Sequence, residues 1–374
     1  MQRRQLLTAL GGVSVVMAAA SSKAAGLLRQ LAPSLQRIPR LPMPVVQTGK
    51  GLQLPARLIS PPGSIPLASR VALDAPLNPI WTCSPRTTDE WRAVVSQVDL
   101  LFASRAALLT SARSSSGPKP TVESFSLDGV PACLAVPHGQ QAGHGLMVFS
   151  IHGGAYVLRG GSSNLELDAI TNAHRLGLPA LSIDYRQLPE WPQPVPLQDV
   201  ERAWVAAQMR YPQQRWLLSG VSSGGALGCS LIQSQQARGG VMPVGLAMVS
   251  PLVDLTLSGD SLQTHRGLDR DILQMEGLLQ GAVSLYLHGA DPRRPELSPL
   301  FGTFRGFPPA LIISGSRDLL MSDAIRLNQA LLEAGVSSQL QVFEAMSHLM
   351  ISEPIPEQQQ AVALLKRFAQ SLQG

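Results

Sequence analysis

From residue 121 onward, short apolar runs alternate with stretches of helical spacing, and that alternation limits the fold more than any other feature. Runs at Thr121–Leu127, Ala132–Val136, Leu146–Ile151, Ala180–Asp184, Arg215–Ser219, Val244–Val249, Leu311–Ser314 and Gln339–Phe343 read as strands. Between them, Ala169–Leu176, Leu197–Met209, Ala226–Ser234, Ser322–Ala334 and Pro356–Leu372 read as helices. Apolar strands interleaved with helices predict an α/β fold, a mostly parallel central sheet covered by helices on both faces. The first two strands are joined by Asp128-Gly129, which predicts a hairpin.

The chain has 374 residues, enough for two domains or one large domain with elaborations. Hydrophobic residues make up 45% and so allow a large core, which excludes a mostly disordered chain. No apolar run reaches about 18 residues, which excludes a polytopic membrane protein. Three cysteines are too few for a disulfide-stapled scaffold or a cysteine-rich zinc protein. They leave room for one bridge, Cys83–Cys133, which nothing in the sequence requires, and Cys229 is expected to be buried. The formal charge is +5, but three of the positive charges are Arg3, Arg4 and Lys23, in a stretch without acids. The remaining arginines are scattered, with no basic stripe and no interleaved aromatics, so nucleic acid is not an expected partner.

The N-terminus reads as an export signal over residues 1–24. Arg3 and Arg4 are followed by a mostly apolar stretch from Leu6 to Ala20, long for a signal core and short for a membrane span. Arg3-Arg4-Gln5-Leu6-Leu7 is similar to a twin-arginine signal, although Gln2 stands where Ser or Thr is usual. Small residues offer cleavage at Ala18-x-Ala20 or Ser22-x-Ala24, and no stable membrane insertion is expected after removal; the alternative is an uncleaved anchor. Residues 25–117 form a second region. Prolines crowd residues 27–85 and leave little room for helix interiors, so this part reads as a linker or wrapping arm. From Thr87 to Arg113 the pattern turns helical, with Trp91, Val94, Val95, Val98, Leu101 and Phe102 recurring on one face. Residues 118–374 form the third region. Within it, about 255–295 break the strand–helix rhythm with helical material at Ile272–Leu287, which predicts an insertion over the sheet.

Gly220-Val221-Ser222-Ser223-Gly224 lies between a predicted strand and a predicted helix. In that setting Gly-x-Ser-x-Gly forms a sharp turn that presents the serine at a helix N-terminus. Small residues are needed two places before and after the serine, where side chains would meet neighbouring backbone. His152-Gly153-Gly154-Ala155 follows its own strand. The N–H groups of Gly153, Gly154 and Ala155, with that of Ser223, are candidates for holding a negative oxygen.

A nucleophilic serine needs a base and the base needs an orienting acid. Of seven histidines, His348 alone follows the last strand, where loops gather at the carboxyl end of a sheet. His265 and His288 lie in the inserted stretch, and His138, His144, His152 and His174 come earlier. Asp318 follows the preceding strand in Gly315-Ser316-Arg317-Asp318 and is the expected acid. Asp323 competes but sits inside the next helix, where a cap or a solvent-facing role is expected; Asp254 and Asp291 are further alternatives. The order Ser222, Asp318, His348 is that of the α/β-hydrolase triad.

Taken together these motifs resemble the hormone-sensitive-lipase-like branch of the α/β-hydrolase esterases. The matching residues run in family order over about 120–350: His152-Gly153-Gly154-Ala155, Asp184-Tyr185-Arg186 with Pro189-Glu190, Gly220 to Gly225, Ser250-Pro251 with Asp254, Ser298-Pro299-Leu300, Gly315 to Asp318, and His348. Three departures stand out. Ala155 replaces a glycine, Val221-Ser222-Ser223 replaces the commoner Asp-Ser-Ala, and Ala345-Met346-Ser347 precedes the histidine where glycine is frequent. None removes a catalytic group. The resemblance implies that Asp184, Tyr185, Arg186 and Glu190 brace the His152 turn. It also implies a helical cap from about 80–115 and 255–295, with Trp81, Trp91, Leu100, Leu101, Phe102, Leu273, Met275, Leu278, Leu279 and Tyr286 as candidate lining of an acyl pocket.

The expected activity is hydrolysis of short- to medium-chain carboxylic esters through an acyl-enzyme, with a small-molecule ester as partner and neither metal nor organic cofactor. A lactonase, amidase or acyl transferase would use the same groups. A non-catalytic binding protein on the same scaffold would ordinarily lack a triad member.

Overall fold

The alternation becomes, in the computed structural model, one eight-stranded sheet with helices on both faces. The structure describes residues 58–75, 79–99 and 119–373, with residues 56 and 77 and the backbone of 46–48 and 51–53. These belong to two units, residues 1–60 and 61–374. In the first, β1 (Val46–Thr48) and β2 (Gly51–Gln53) pair antiparallel, with Val46 opposite Gln53. The proposed signal at 1–24 lies outside the described residues.

The second unit opens with helix α1 (Leu67–Asp74), set between Pro66 and Pro76. This corrects the reading of the proline-rich segment as a linker or arm with little room for helix interiors. The prolines bracket a nine-residue stretch free of them, and Pro66 stands just outside the first turn, where a missing N–H costs nothing. Helix α2 covers 88–99; Leu100, Leu101 and Phe102 fall outside the described residues.

The sheet follows, with β3 (Thr121–Leu127), β4 (Val130–Val136), β5 (Leu146–Ile151), β6 (Ala180–Ile183), β7 (Arg215–Val221), β8 (Gly245–Val249), β9 (Ala310–Gly315) and β10 (Ser338–Phe343). Their spatial order is β10-β9-β8-β7-β5-β6-β4-β3. β3, β4 and β6 pair antiparallel and the remaining neighbours are parallel. The β3–β4 turn is the expected hairpin, with Asp128 and Gly129 both at positive φ (48° and 82°) and Leu127 opposite Val130.

Burial explains why the central strands are mostly apolar. Every residue of β5, β8 and β9 is buried, whereas edge strands β3 and β10 are half open. Side chains still alternate between faces with period two. Met147, Phe149 and Ile151 of β5 join one core, with Trp204, Ile232 and Leu327 from helices α4 (Val195–Arg210), α5 (Ser223–Arg238) and, beyond the insertion, α7 (Met321–Glu333). Leu146 and Val148 join the other, with Leu165, Ala169 and Ala173 of α3 (Ser162–Leu176) and Ala361 and Leu365 of α8 (Pro356–Ser371).

Between β8 and β9 the insertion carries a single turn at Ser261–Thr264 and helix α6 (Leu278–Leu287). Helix was expected from Ile272, and it starts six residues later. Leu273 and Gly277 have φ of 64° and 102°, which a right-handed helix excludes. The Asp269 carboxylate also takes the N–H groups of Asp271 and Ile272 into a local turn. α6 packs against the N-terminal cap segment: Gly281 faces the Trp91 ring and Gly277 lies against the backbone of Trp81 to Cys83.

Candidate active site

Parallel strands carry their following loops to one edge of the sheet. β7, β8, β9 and β10 are neighbours, and Ser222, Ser250, Asp318 and His348 each follow one of them. Ser222 stands between the end of β7 and the start of α5, with φ 55° and ψ −122°. A non-glycine residue held there stores strain of about 1–3 kcal/mol. The turn is fixed by Ser222 N–H donating to the Val249 carbonyl (2.9 Å), and by Gly225 and Leu252 N–H donating to the Ser222 carbonyl (3.0 and 3.1 Å).

The oxyanion candidates lie against this turn. A Cβ on Gly153 would stand 2.6 Å from the Val221 carbonyl oxygen and 3.1 Å from the Ser222 Cβ, so only glycine allows the approach. Gly224, two places after the serine, faces the carbonyls of Ile151 and His152 just as closely. Gly154 and Ala155 continue the turn at φ 122° and 52°, and Ser223 Oγ accepts the Tyr156 N–H at 3.4 Å.

Tyr185 braces His152 as expected, whereas Asp184 stands near the ring without a hydrogen bond to it and takes the Gly161 N–H at 2.9 Å. The Tyr185 hydroxyl donates to the His152 carbonyl (3.1 Å), its ring stacks on the imidazole at 4.5 Å, and Asp184 Oδ1 lies 3.9 Å from His152 Nε2. Burial pushes His152 below its usual value, which favours the uncharged ring, and Nδ1 lies 2.8 Å from the Gly153 carbonyl. Arg186 and Glu190 do other work than expected. Arg186 grips Asp199 with two 2.8 Å bonds, and Glu190 pairs with Arg92 of α2 at 2.9 Å. Their side chains are long and charged and reach partners of opposite charge, Asp199 and Arg92.

His348 and Asp318 are brought together. His348 Nδ1 lies 3.0 Å from Asp318 Oδ1, with 3% and 0% of these residues exposed. Asp318 Oδ2 accepts Ser314 Oγ–H (2.8 Å) and Oδ1 accepts Leu320 N–H (2.9 Å). Burial alone would raise Asp318 and lower His348. The opposite charges and the bond between them prevail, moving Asp318 down and His348 up, so each stabilises the ionised partner. The two loops are also tied through backbone: Arg317 N–H donates to the Met346 carbonyl (3.0 Å) and Ala345 N–H to Ser316 Oγ (2.7 Å). Ser250 Oγ–H holds the His348 carbonyl at 3.1 Å.

Asp323 is neither solvent-facing nor a cap of its own helix. It is buried, and its Oδ2 takes the N–H groups of Val253 and Asp254 at 2.8 and 3.0 Å, away from His348. The residue that sequence reasoning missed is Asp269. It comes from the insertion, is fully buried, and presents an oxygen within 4.8 Å of ligand atoms of both Asp318 and His348. Such a trio has metal-donor types, but its atoms are taken: Leu319 and Asp271 N–H bind Asp269 (2.7 and 2.8 Å), and Asp318 occupies His348 Nδ1. His265, set aside as an insertion histidine, has Nδ1 2.8 Å from the Asp318 carbonyl. Neither residue carries a local motif that singles it out.

The candidate pocket residues Trp91, Leu273, Leu278, Leu279 and Tyr286 are buried, and Trp81 and Met275 pack against the same core. Tyr286 stacks on Tyr156 of the oxyanion turn with centroids 3.9 Å apart. The three cysteines are free, Cys83 exposed and Cys133 and Cys229 buried, so Cys83 and Cys133 do not pair. Among the described residues no helix is long and apolar enough to cross a membrane.

A family model described as the alpha/beta hydrolase fold matches residues 148–352. An acetyl-hydrolase from Streptomyces hygroscopicus is 31% identical over 62% of this chain and 77% of its own length. An esterase from Acinetobacter venetianus is likewise 31% identical over 62% of this chain and 77% of its own. The crystal structure of esterase E25 superposes with a TM-score of 0.77 at 31% identity, covering 85% of this chain and 98% of that one. An esterase from the bacterial hormone-sensitive lipase family superposes at 0.66 and 28% identity, covering 79% and 95%. The chain therefore belongs to the α/β-hydrolase fold family, with the carboxylesterase-type hydrolases that resemble hormone-sensitive lipase.

Proposed function

We propose that the chain hydrolyses short- to medium-chain carboxylic esters through an acyl-enzyme on Ser222. The observation that carries this reading is the buried His348–Asp318 pair at 3.0 Å, on loops after β9 and β10 at the sheet edge where the Ser222 turn follows β7. Ser222 Oγ attacks the ester carbonyl as His348 takes its proton, and Asp318 orients the ring and stabilises the imidazolium. The N–H groups of Gly153, Gly154, Ala155 and Ser223 receive the negative oxygen of the tetrahedral intermediate. His348 then returns the proton to the departing alcohol. Water repeats the sequence on the acyl-enzyme, releasing the acid and restoring Ser222. The name of the acetyl-hydrolase relative supports a short acyl group. Arg3-Arg4 and the apolar stretch after it support export with removal of residues 1–24, which N-terminal sequencing of the mature chain tests.

The function is tested with a fluorophosphonate probe and a p-nitrophenyl ester panel. The wild-type chain is expected to label and to hydrolyse the esters, and Ser222→Ala to do neither while keeping its fold. Ser222→Ala and His348→Ala are each expected to lower kcat by at least about 10⁴-fold, with the double variant little worse than either. Multiplicative loss in the double variant would break the assignment.

A further inference from the structure

Asp269 binds three separate pieces of backbone with one carboxylate. Oδ2 accepts the N–H of Leu319, next to Asp318 (2.7 Å). Oδ1 accepts the N–H groups of Asp271 (2.8 Å) and Ile272 (3.3 Å), and stands 3.5 Å from the N–H of His348 itself. The turn it organises continues the connection: Arg270 N–H donates to Ser347 Oγ (3.2 Å) and Leu349 N–H to Asp271 Oδ2 (2.9 Å). The insertion thus grips the residues on both sides of His348 and the residue after Asp318.

We propose that Asp269 is a positioning residue for the His348–Asp318 pair, holding the acid loop and the histidine loop in register from the insertion and placing a second negative charge behind the imidazolium. This rests on the esterase reading of the same site. The proposal joins the cap to the chemistry: a segment that would cover the substrate also supplies the carboxylate that fixes the base.

Charge makes the role more than mechanical. Within a buried cluster, the interaction between two charges a few ångströms apart is several-fold stronger than in water. The groups around Asp269 are Asp318 and His348 on the facing loops, and His265, Arg270 and Asp271 on its own segment, with Glu353 beyond Asp271. Burial, Asp318 and Asp271 push the Asp269 carboxyl up to about 7, while His348 and the Leu319 N–H draw it back. When His348 takes the Ser222 proton, the new positive charge favours ionised Asp269, and ionised Asp269 in turn strengthens the base. Removing that negative charge lowers the His348 pKa.

The test compares wild type, Asp269→Asn and Asp269→Glu with p-nitrophenyl butyrate from pH 5 to 9. For Asp269→Asn, kcat is expected to fall about 10- to 100-fold with KM within about threefold of wild type. Its acid limb is expected to move about one unit lower. Asp269→Glu is expected to return the limb to the wild-type position. A limb that stays put in Asp269→Asn, or a change confined to KM, overturns the proposal. Where Asp269→Asn does not fold, the His348 Nδ1–H proton resonance of the wild-type chain decides: two titration steps support a second buried acid, and one step overturns it. A wild type that neither labels with fluorophosphonate nor hydrolyses the ester removes the esterase reading itself. An active wild type matched in every respect by Asp269→Asn removes only the role of Asp269.

Discussion

His348 Nδ1 meets Asp318 Oδ1 at 3.0 Å inside the protein, and the second Asp318 oxygen is held by the Ser314 hydroxyl. An asparagine at 318 keeps the size and loses the charge, and its NH₂ would have to replace one of these acceptors. Asp318→Asn is expected to lower kcat by about 10⁴-fold, because the imidazole is then held in the wrong tautomer. Steady-state kinetics, with circular dichroism as a check on the fold, measures this. A loss under about tenfold would take the acid role away from Asp318.

The pH profile follows from the same contact. Burial alone would lower His348, but Asp318, then Asp269 and Asp271, raise it above its usual value. The base works only when neutral, so kcat/KM is expected to fall as pH drops through that raised value. The acid limb should lie above about 6.5, the value of an unperturbed histidine. Assays from pH 5 to 9 locate it, and a limb below about 6 would mean that the surrounding carboxylates are not felt.

Asp323 separates structure from catalysis. Its carboxylate satisfies two buried N–H groups in the loop after β8. Asp323→Ala strands both donors and is expected to cost about 2–4 kcal/mol of stability. Turnover per folded molecule should stay within about threefold of wild type. Urea denaturation beside active-site titration tests the split. A collapse of kcat in fully folded protein would contradict it.

Gly153→Ala places a methyl group 2.6 Å from the Val221 carbonyl oxygen. The turn has to back away from Ser222, carrying its N–H donors with it. An expected loss of about 10²- to 10³-fold in kcat corresponds to one oxyanion donor removed. KM should move far less, since the ground-state ester depends little on that donor.

Acyl length is read from the cap. Its two segments are short and hold few aromatics, and Trp91 and Tyr286 are already committed to packing. Each buried methylene contributes up to about 0.8 kcal/mol until the pocket ends. The ratio kcat/KM is expected to rise from acetate to about butyrate or hexanoate and to drop beyond about ten carbons. A profile that climbs through palmitate, or a jump at an oil–water interface, would require a mobile lid.

The sheet was legible because burial on both faces demands mostly apolar strands, and β5 matches its predicted limits residue for residue. The pairing of His348 with Asp318 was legible because each follows a strand and chain order identifies the loops. Helix ends were less so. α5 begins at Ser223, three residues before the expected Ala226, because the small polar residues Ser223 and Gly224 start it where the tight turn needs them. Asp269 was illegible for a different reason. Its importance comes from a contact between an irregular insertion and two distant loops, and no periodic pattern encodes that. Arg186 shows the converse, a motif residue whose partner, Asp199, only the fold reveals.

The free thiols give the chain a built-in measuring point. Cys133 and Cys229 are sealed in the cores, and burial raises the Cys229 thiol to about 12, which suppresses its reactivity. Cys83 alone faces solvent, and its carbonyl lies against Gly277, at the seam between the N-terminal cap segment and α6. A maleimide dye or a nitroxide therefore attaches at one place without engineering. Its signal would report in real time whether those two segments part or stay closed as an ester enters and an acid leaves.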